Sequence, residues 1–219
     1  MRPYDTVIFD LDGTLLDTLQ DLADSANYAL NLRGLPTRTL DEIRSFVGNG
    51  VGTLIHLALP EGTDPDTEAR CLADFRAHYT LNMAHKTAPY AGILDLLDAL
   101  RADGIRLAVV SNKFDSAVKG LCEDYFGDRI QAAAGESAGV ARKPAPDTVF
   151  HVLEVLGADA ARAVYVGDSD IDIDTARNAG LPCLSVSWGF RDAAFLTAHG
   201  AQRIVDTPEE LKDLLLGRL

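Results

Sequence analysis

Cysteine is scarce in this chain: Cys71, Cys122 and Cys183 are the only three in 219 residues, an odd number with no C-x-x-C pair. That argues against a disulfide framework and a thiolate zinc site, and it suits a reducing compartment. The five histidines, His56, His78, His85, His151 and His199, stand apart without metal-ligand spacing, so none is assigned chemistry. Basic residues are also few, 20 Lys and Arg against 33 Asp and Glu, and a net charge of -13 repels phosphate backbones and anionic headgroups. No nucleic acid and no membrane surface is expected as a partner. No apolar run approaches the ~20 residues that span a bilayer. Met1-Arg2-Pro3-Tyr4-Asp5 leads into a strand pattern without an apolar leader, so a cytoplasmic location is the expectation. Internal repeats and low-complexity tracts are missing too. What remains, 47% hydrophobic and 24% charged residues, is the composition of an ordinary globular protein with room for one core and an inserted subdomain.

Short apolar runs alternate with longer helical patterns. The strong runs are Thr6 to Phe9, Arg106 to Val110, Ala163 to Val166 and Cys183 to Val186; Gln131 to Ala134 and Arg203 to Val205 are weaker. Runs that are apolar on both faces predict strands sandwiched between helices, a parallel sheet in an open, Rossmann-like α/β fold. Helix ends are also visible. Thr207-Pro208-Glu209-Glu210 offers an N-cap, a first-turn proline and a capping-box Glu, while Gly104 and Gly180 stand where helices should stop. After the first strand the alternation lapses for some ninety residues that read as helical throughout. Leu19, Leu22, Ala23, Ala26 and Leu30 recur at helical spacing, Thr39 and Glu42 make a capping box, Val51 to Leu59 reads as a helix closed by Pro60, and Asp64-Pro65 opens another reaching about His85. A crossover needs only about a dozen residues. The expectation is a core of residues 1–15 and 88–219, with 16–87 inserted as a small helical subdomain.

Chemistry concentrates at strand ends. Val7-Ile8-Phe9-Asp10-Leu11-Asp12-Gly13-Thr14 delivers two aspartates at the carboxyl end of an apolar strand, the edge where open α/β sheets bind ligands. A turn rich in Asp and Gly is the plain alternative. A second acidic strand end, Tyr165-Val166-Gly167-Asp168-Ser169-Asp170-Ile171-Asp172-Ile173-Asp174, makes a shared cation site the better reading. A helix starting near Ser169 puts Asp168 and Asp172 about one turn apart and leaves Asp170 and Asp174 free to face solvent. Hard oxygen donors suit Mg²⁺. A calcium loop would need Gly at position six and Glu at twelve, where this chain has Ile173 and Ala179, or Leu15 and Asp21. Two more segments follow the same order: Val109-Val110-Ser111-Asn112-Lys113, which ends a strand in a hydroxyl and an amide that can donate to an anion, and Lys143 in the loop Arg142-Lys143-Pro144-Ala145-Pro146-Asp147. Alone, each would be an ordinary turn or a solvated cation.

Together, Asp10-Leu11-Asp12-Gly13-Thr14, Ser111-Asn112, Lys143-Pro144 and Gly167-Asp168-Ser169 with Asp172 resemble the four ordered motifs of the haloacid dehalogenase-like hydrolases, from residue 7 to about 180. Within that superfamily the chain is most similar to phosphoglycolate phosphatases, through Phe46-Val47-Gly48-Asn49-Gly50-Val51, the Ser111-Asn112-Lys113 form of the second motif, and Asn178-Ala179-Gly180. The helical insertion matches that family's small α-helical cap. The resemblance implies a Mg²⁺-dependent phosphomonoester hydrolase. Asp10 is then the nucleophile that forms an aspartyl-phosphate, Asp12 the acid and base, and Ser111 and Lys143 the grip on the phosphoryl group. The metal falls to Asp10, the Asp12 backbone carbonyl and Asp168, with Asp172 supporting them from behind. Gly13, Thr14, Ser111, Asn112 and Lys143 would line the phosphate, and Asn49, Gly50 and Arg44 would meet the distal end of 2-phosphoglycolate or a similar small metabolite.

Sister activities can be weighed in the same way. Dehalogenases of the superfamily lack the second acid of the first motif, whereas Asp12 is present. Phosphonatases use a cap lysine, and the first lysine here is Lys86. A sugar phosphatase or phosphomutase of broader specificity stays open, since Arg33, Arg38, Arg44, Arg70 and Arg76 are available. From another class, a phosphoacceptor receiver domain also gathers acids, a hydroxyl and a Lys around Mg²⁺, but at about half this length and without the insertion. Trp188 is expected to cover the sheet edge rather than line the cleft, and Gly13, Gly48 and Gly50 are hinge candidates. A small-molecule phosphomonoester is the expected partner, and the expected assembly is a monomer or homodimer.

Overall fold

A computed structural model describes residues 3–218. In chain order the elements begin with β1 (Thr6–Phe9), β2 (Leu16–Asp17), α1 (Leu19–Asn31), α2 (Leu40–Phe46), α3 (Gly50–Ala58) and α4 (Pro65–Asn82). They continue with β3 (Ala88–Pro89), α5 (Ile93–Ala102), β4 (Arg106–Phe114), α6 (Asp115–Phe126), β5 (Ala132–Glu136) and α7 (Asp147–Leu156). The last are β6 (Ala163–Gly167), α8 (Asp170–Ala179), β7 (Cys183–Val186), α9 (Ala193–Ala198), β8 (Ile204–Val205) and α10 (Pro208–Leu215). Two compact units result, one from the chain up to Leu16 and from Pro89 onward, the other from Asp17–Ala88.

The first unit is α/β. Its six strands lie in the order β5-β4-β1-β6-β7-β8, and the recorded pairings are parallel throughout. β1 is central, with Val7 opposite Leu107 of β4 and Val164 of β6. Its four residues, Thr-Val-Ile-Phe, are fully buried on both faces, as a strand between helical layers must be. Alternation sends Ile8, Ala108, Val110 and Tyr165 to one face, where Val149, Val152 and Leu153 of α7 and Ala176 of α8 complete the core. Burying each large apolar side chain of this kind contributes about 1.5–3 kcal/mol.

β4 is longer than its apolar run. The strand runs on past Val110 to Phe114, where pairing with β5 resumes with Phe114 opposite Glu136 after an irregularity that spans Ser111, Asn112 and Lys113, and α6 starts at once at Asp115. Polarity ends the sequence pattern at Val110, but these three polar residues are buried and their side chains are partnered, so the strand extends beyond its apolar run. At α10, Thr207 accepts the Glu210 N–H as expected, whereas the Glu210 carboxylate takes the N–H of Asp206 instead of that of Thr207, so the predicted capping box is displaced by one residue.

The second unit is a helical bundle of α1 to α4. Leu22, Ala26, Leu30, Ile43, Leu54, Ile55, Cys71, Phe75 and Tyr79 are buried in it. The capping box at Thr39 and Glu42 forms as the sequence predicts, and Asp64 caps α4 by accepting the Thr67 N–H at 3.0 Å; such caps contribute about 1 kcal/mol each. Asp21 of α1 accepts the N–H groups of Lys86 and Thr87 at 2.9 and 2.8 Å, which ties the start of the bundle to its end. Among the described residues no helix is long and apolar enough to cross a membrane.

Candidate active site

The strand order reverses at β1. From there the chain adds β4 and β5 on one side, then returns to lay β6, β7 and β8 on the other. At such a switch point neighbouring loops diverge and leave a crevice at the carboxyl edge. Asp10 follows β1 directly, its N–H donating to the Val166 carbonyl of β6 at 2.9 Å. Asp168 follows β6, Ser111 to Lys113 stand on β4, and Lys143 arrives from the loop before α7.

Carboxylate oxygens of Asp10, Asp168 and Asp172 all lie within 4.8 Å of one another, and all three residues are buried. Into this cluster Lys143 inserts its ammonium, 2.9 Å from Asp10 Oδ1 and 2.8 Å from Asp172 Oδ1, with its side chain only 3% exposed. Lys143 also donates to the Tyr165 hydroxyl at 3.1 Å, and that oxygen lies 3.3 Å from the Val110 carbonyl. Asp172 is fully engaged: Oδ1 meets Lys143 and Tyr165, while Oδ2 accepts the Ser169 N–H and hydroxyl at 3.1 and 2.6 Å, closing a capping box at the start of α8.

Acids this close and this dry resist ionisation. Burial, with Asp172 and Asp12 as like-charged neighbours, pushes the Asp10 carboxyl up to about 7 against the pull of Lys143. Burial first, then Asp172 and Asp10, holds Asp168 well above the usual carboxylate range. For Lys143 burial works against the charge, but Asp10 and Asp172 outweigh it and keep the ammonium protonated. Asp10, Asp168 and Asp172 form a group that could hold a metal ion.

Asp168 is held from two sides, by the Thr14 hydroxyl at 3.1 Å and the Phe190 N–H at 2.7 Å. Trp188 donates its indole N–H to the Thr14 carbonyl at 3.0 Å, so the loop after β7 clamps the loop after β1; this is more than the cover for a sheet edge that the sequence suggested. Both loops need glycine here. A Cβ on Gly13, which has φ +83°, would lie 2.4 Å from Asp168 Oδ2, and one on Gly189 would lie 2.3 Å from the Gly13 carbonyl oxygen. Gly13→Ala is therefore expected to displace Asp168 and cut kcat/KM at least ~10²-fold on any phosphomonoester, with a lower melting temperature. Near-normal activity in that variant would show that the two loops tolerate separation.

The α/β unit brings together Asp10, Asp12, Gly13, Thr14, Ser111, Asn112, Lys143, Asp168 and Asp172. Within it Asn112 donates its side-chain amide to the Lys143 carbonyl at 3.0 Å, and the Ser111 hydroxyl accepts the Lys113 N–H at 3.3 Å. Arg44, Asn49 and Gly50 belong to the helical unit. Arg44 pairs with Asp41 at 2.6 Å and is 41% exposed at its side chain, and Asn49 and Gly50 stand at the start of α3. Three participants carried no assigned role in the sequence: Lys113, whose Nζ lies 2.8 Å from both oxygens of Asp12, Tyr165 beneath Lys143, and Phe190, whose N–H holds Asp168. Their partners are distant in sequence, and only the position of Lys113 next to Ser111-Asn112 left a signal.

Comparison with known proteins gives the same class. The sequence pattern of the haloacid dehalogenase-like hydrolases matches residues 7–186, and the chain belongs to that family. Within it the chain is phosphoglycolate phosphatase-like, a phosphatase enzyme. It is 38% identical over 190 residues to the phosphoglycolate phosphatase of Mesorhizobium japonicum, covering 85% of this chain and 84% of that one. It is 33% identical over 220 residues to the phosphoglycolate phosphatase of Chromobacterium violaceum, covering 98% of each. Among solved structures, CbbY from Rhodobacter sphaeroides in complex with xylulose-(1,5)bisphosphate has a TM-score of 0.78 and 28% identity over 95% of this chain and 96% of that one.

Proposed function

We propose that this phosphatase is Mg²⁺-dependent, works through an aspartyl-phosphate on Asp10, and acts on 2-phosphoglycolate or a similar small phosphorylated metabolite. The observation that carries this reading is the meeting of Asp10, Asp168, Asp172 and Lys143 at the carboxyl edge of β1 and β6. Counted with Asp12 and Lys113, four carboxylates face two ammonium groups, an excess of two negative charges when all are ionised. A divalent cation balances that excess, and oxygen-only donors suit Mg²⁺. Asp10, Asp168 and the Asp12 backbone carbonyl would hold it. Asp172, with both oxygens already engaged, supports the site by orienting Lys143. When bound, the ion supplies positive charge that offsets the repulsion between a carboxylate and a phosphate, about 4 kcal/mol per unit pair at 4 Å and an effective dielectric near 20.

The chain's own groups do the rest. An Asp10 carboxylate oxygen attacks phosphorus in line, and the P–O bond to the alkoxide breaks as that oxygen takes a proton from Asp12. Water then attacks phosphorus and gives its proton to Asp12, which frees phosphate and restores Asp10. The Lys143 ammonium and Ser111 hydroxyl hold the phosphoryl oxygens, Gly13 and Thr14 bring the first loop alongside them, and Asn112 fastens the Lys143 loop.

A screen of small phosphomonoesters with Mg²⁺, compared by kcat/KM, tests the reading. Phosphoglycolate is expected to lead. A higher value for a sugar phosphate or bisphosphate would replace the substrate and keep the chemistry; no turnover of any ester would overturn both. Cation affinity also carries a sign. Because Asp10 titrates at about 7 without metal, a cation must displace a proton below that pH. Mg²⁺ binding is expected to strengthen from pH 6 to pH 8, by up to ~10-fold per unit for each proton displaced, in calorimetric titrations. Equal affinity at the two pH values would contradict this.

A further inference from the structure

Lys113 is the one lysine of the site to which the proposed chemistry gives no task. Its side chain is 1% exposed, and its Nζ stands 2.8 Å from Oδ1 and 2.8 Å from Oδ2 of Asp12, whose side chain is 12% exposed. Burying an ammonium is costly, and a forked contact to one carboxylate is what offsets it here. The contact also fixes geometry. Asp12 sits on the loop just before Gly13. The ammonium restrains both oxygens of its carboxyl, while β4 holds the lysine stem between Asn112 and Phe114. Proton transfer depends on geometry before anything else.

We propose that Lys113 is a positioning residue for the leaving-group step: when Asp12 carries the proton it donates, the ammonium keeps hold of the other carboxyl oxygen and so aims the O–H at the departing oxygen. This rests on the reading of Asp12 as proton donor. Lys113 then acts only through Asp12, and its removal matters in proportion to how much the leaving group needs a proton. An alkoxide needs one; p-nitrophenolate departs without it.

The test compares kcat/KM, with saturating Mg²⁺, for an alkyl phosphomonoester and for p-nitrophenyl phosphate in wild type, Asp12→Asn, Lys113→Met, Lys113→Arg and the Asp12→Asn, Lys113→Met double variant. Lys113→Met is expected to lose ~10²-fold on the alkyl ester and less than ~5-fold on the aryl ester. Lys113→Arg should regain at least ~10-fold of the alkyl loss, and inhibition by inorganic phosphate should stay within ~2-fold of wild type. The double variant should lose no more than Asp12→Asn alone, within ~2-fold, because one residue acts through the other. Should Lys113→Met fail to fold, Lys113→Gln is read in the same way. Equal losses on the two esters, or losses that multiply in the double variant, would overturn the inference while Asp12 keeps its role. If Asp12→Asn itself shows no dependence on the leaving group, the acid–base reading fails and the inference falls with it.

Discussion

Asp10→Asn is expected to abolish turnover, with kcat reduced at least ~10⁴-fold on every phosphomonoester, in a protein that folds normally. The amide has the shape of the carboxylate and none of its nucleophilicity, so the loss should fall on kcat and spare the fold. Stability should change in the opposite direction to activity. Wild-type Asp10 carries a folded-state pKa raised from 3.8 to about 7. Its proton is thus held more tightly in the folded chain than in the unfolded one, and stability declines as pH rises from about 4 to about 7. Asn has no proton to lose. Without metal, the variant should melt higher than wild type at pH 8 and close to it at pH 4. Measurable turnover, or an equal gain at both pH values, would remove the nucleophile assignment or the burial argument respectively.

Lys143→Met should cost nearly as much, for two separable reasons. The ammonium lies between Asp10 and Asp172 at 2.9 and 2.8 Å. Removing it takes a charged donor from the transition state, a loss of ~10²- to 10³-fold in kcat. It also leaves two buried carboxylates facing each other, a destabilisation of about 3–5 kcal/mol for a broken buried pair. Mg²⁺ should recover part of the melting temperature and none of the rate. If saturating Mg²⁺ restored kcat to within ~3-fold of wild type, Lys143 would be structural and its phosphoryl contact would be lost from the mechanism.

Much of the α/β sheet was legible because its strands are buried on both faces: β1, β6 and β7 are apolar runs, and a run carries its own signal. The acids at Asp10, Asp12 and Asp168 were legible for the same reason, as charges that terminate such runs. Less could be read where polar residues are buried. Ser111, Asn112 and Lys113 are 4%, 6% and 3% exposed, a strand segment whose composition mimics a turn because its partners, Asp12 and the Lys143 carbonyl, come from elsewhere in the chain. Tyr165 was equally hidden, since an aromatic on a central strand reads as core, and here its hydroxyl is a polar tip bonded to Lys143. Trp188 bonds the Thr14 carbonyl across 174 positions, a contact that no local pattern announces. For Arg44 the sequence offered only proximity to the Gly48-Asn49-Gly50 turn, and the structure adds a competing partner, Asp41, three residues away on α2.

Rapid acid quench of the wild-type enzyme, in excess over a ³²P-labelled phosphomonoester with Mg²⁺, followed by peptide mapping, puts the chemistry to its most direct test. Label should appear transiently on the peptide that contains Asp10, survive acid and be discharged by hydroxylamine. Label on any other residue, or complete release of phosphate with no peptide-bound label at any quench time, would contradict an aspartyl-phosphate at Asp10.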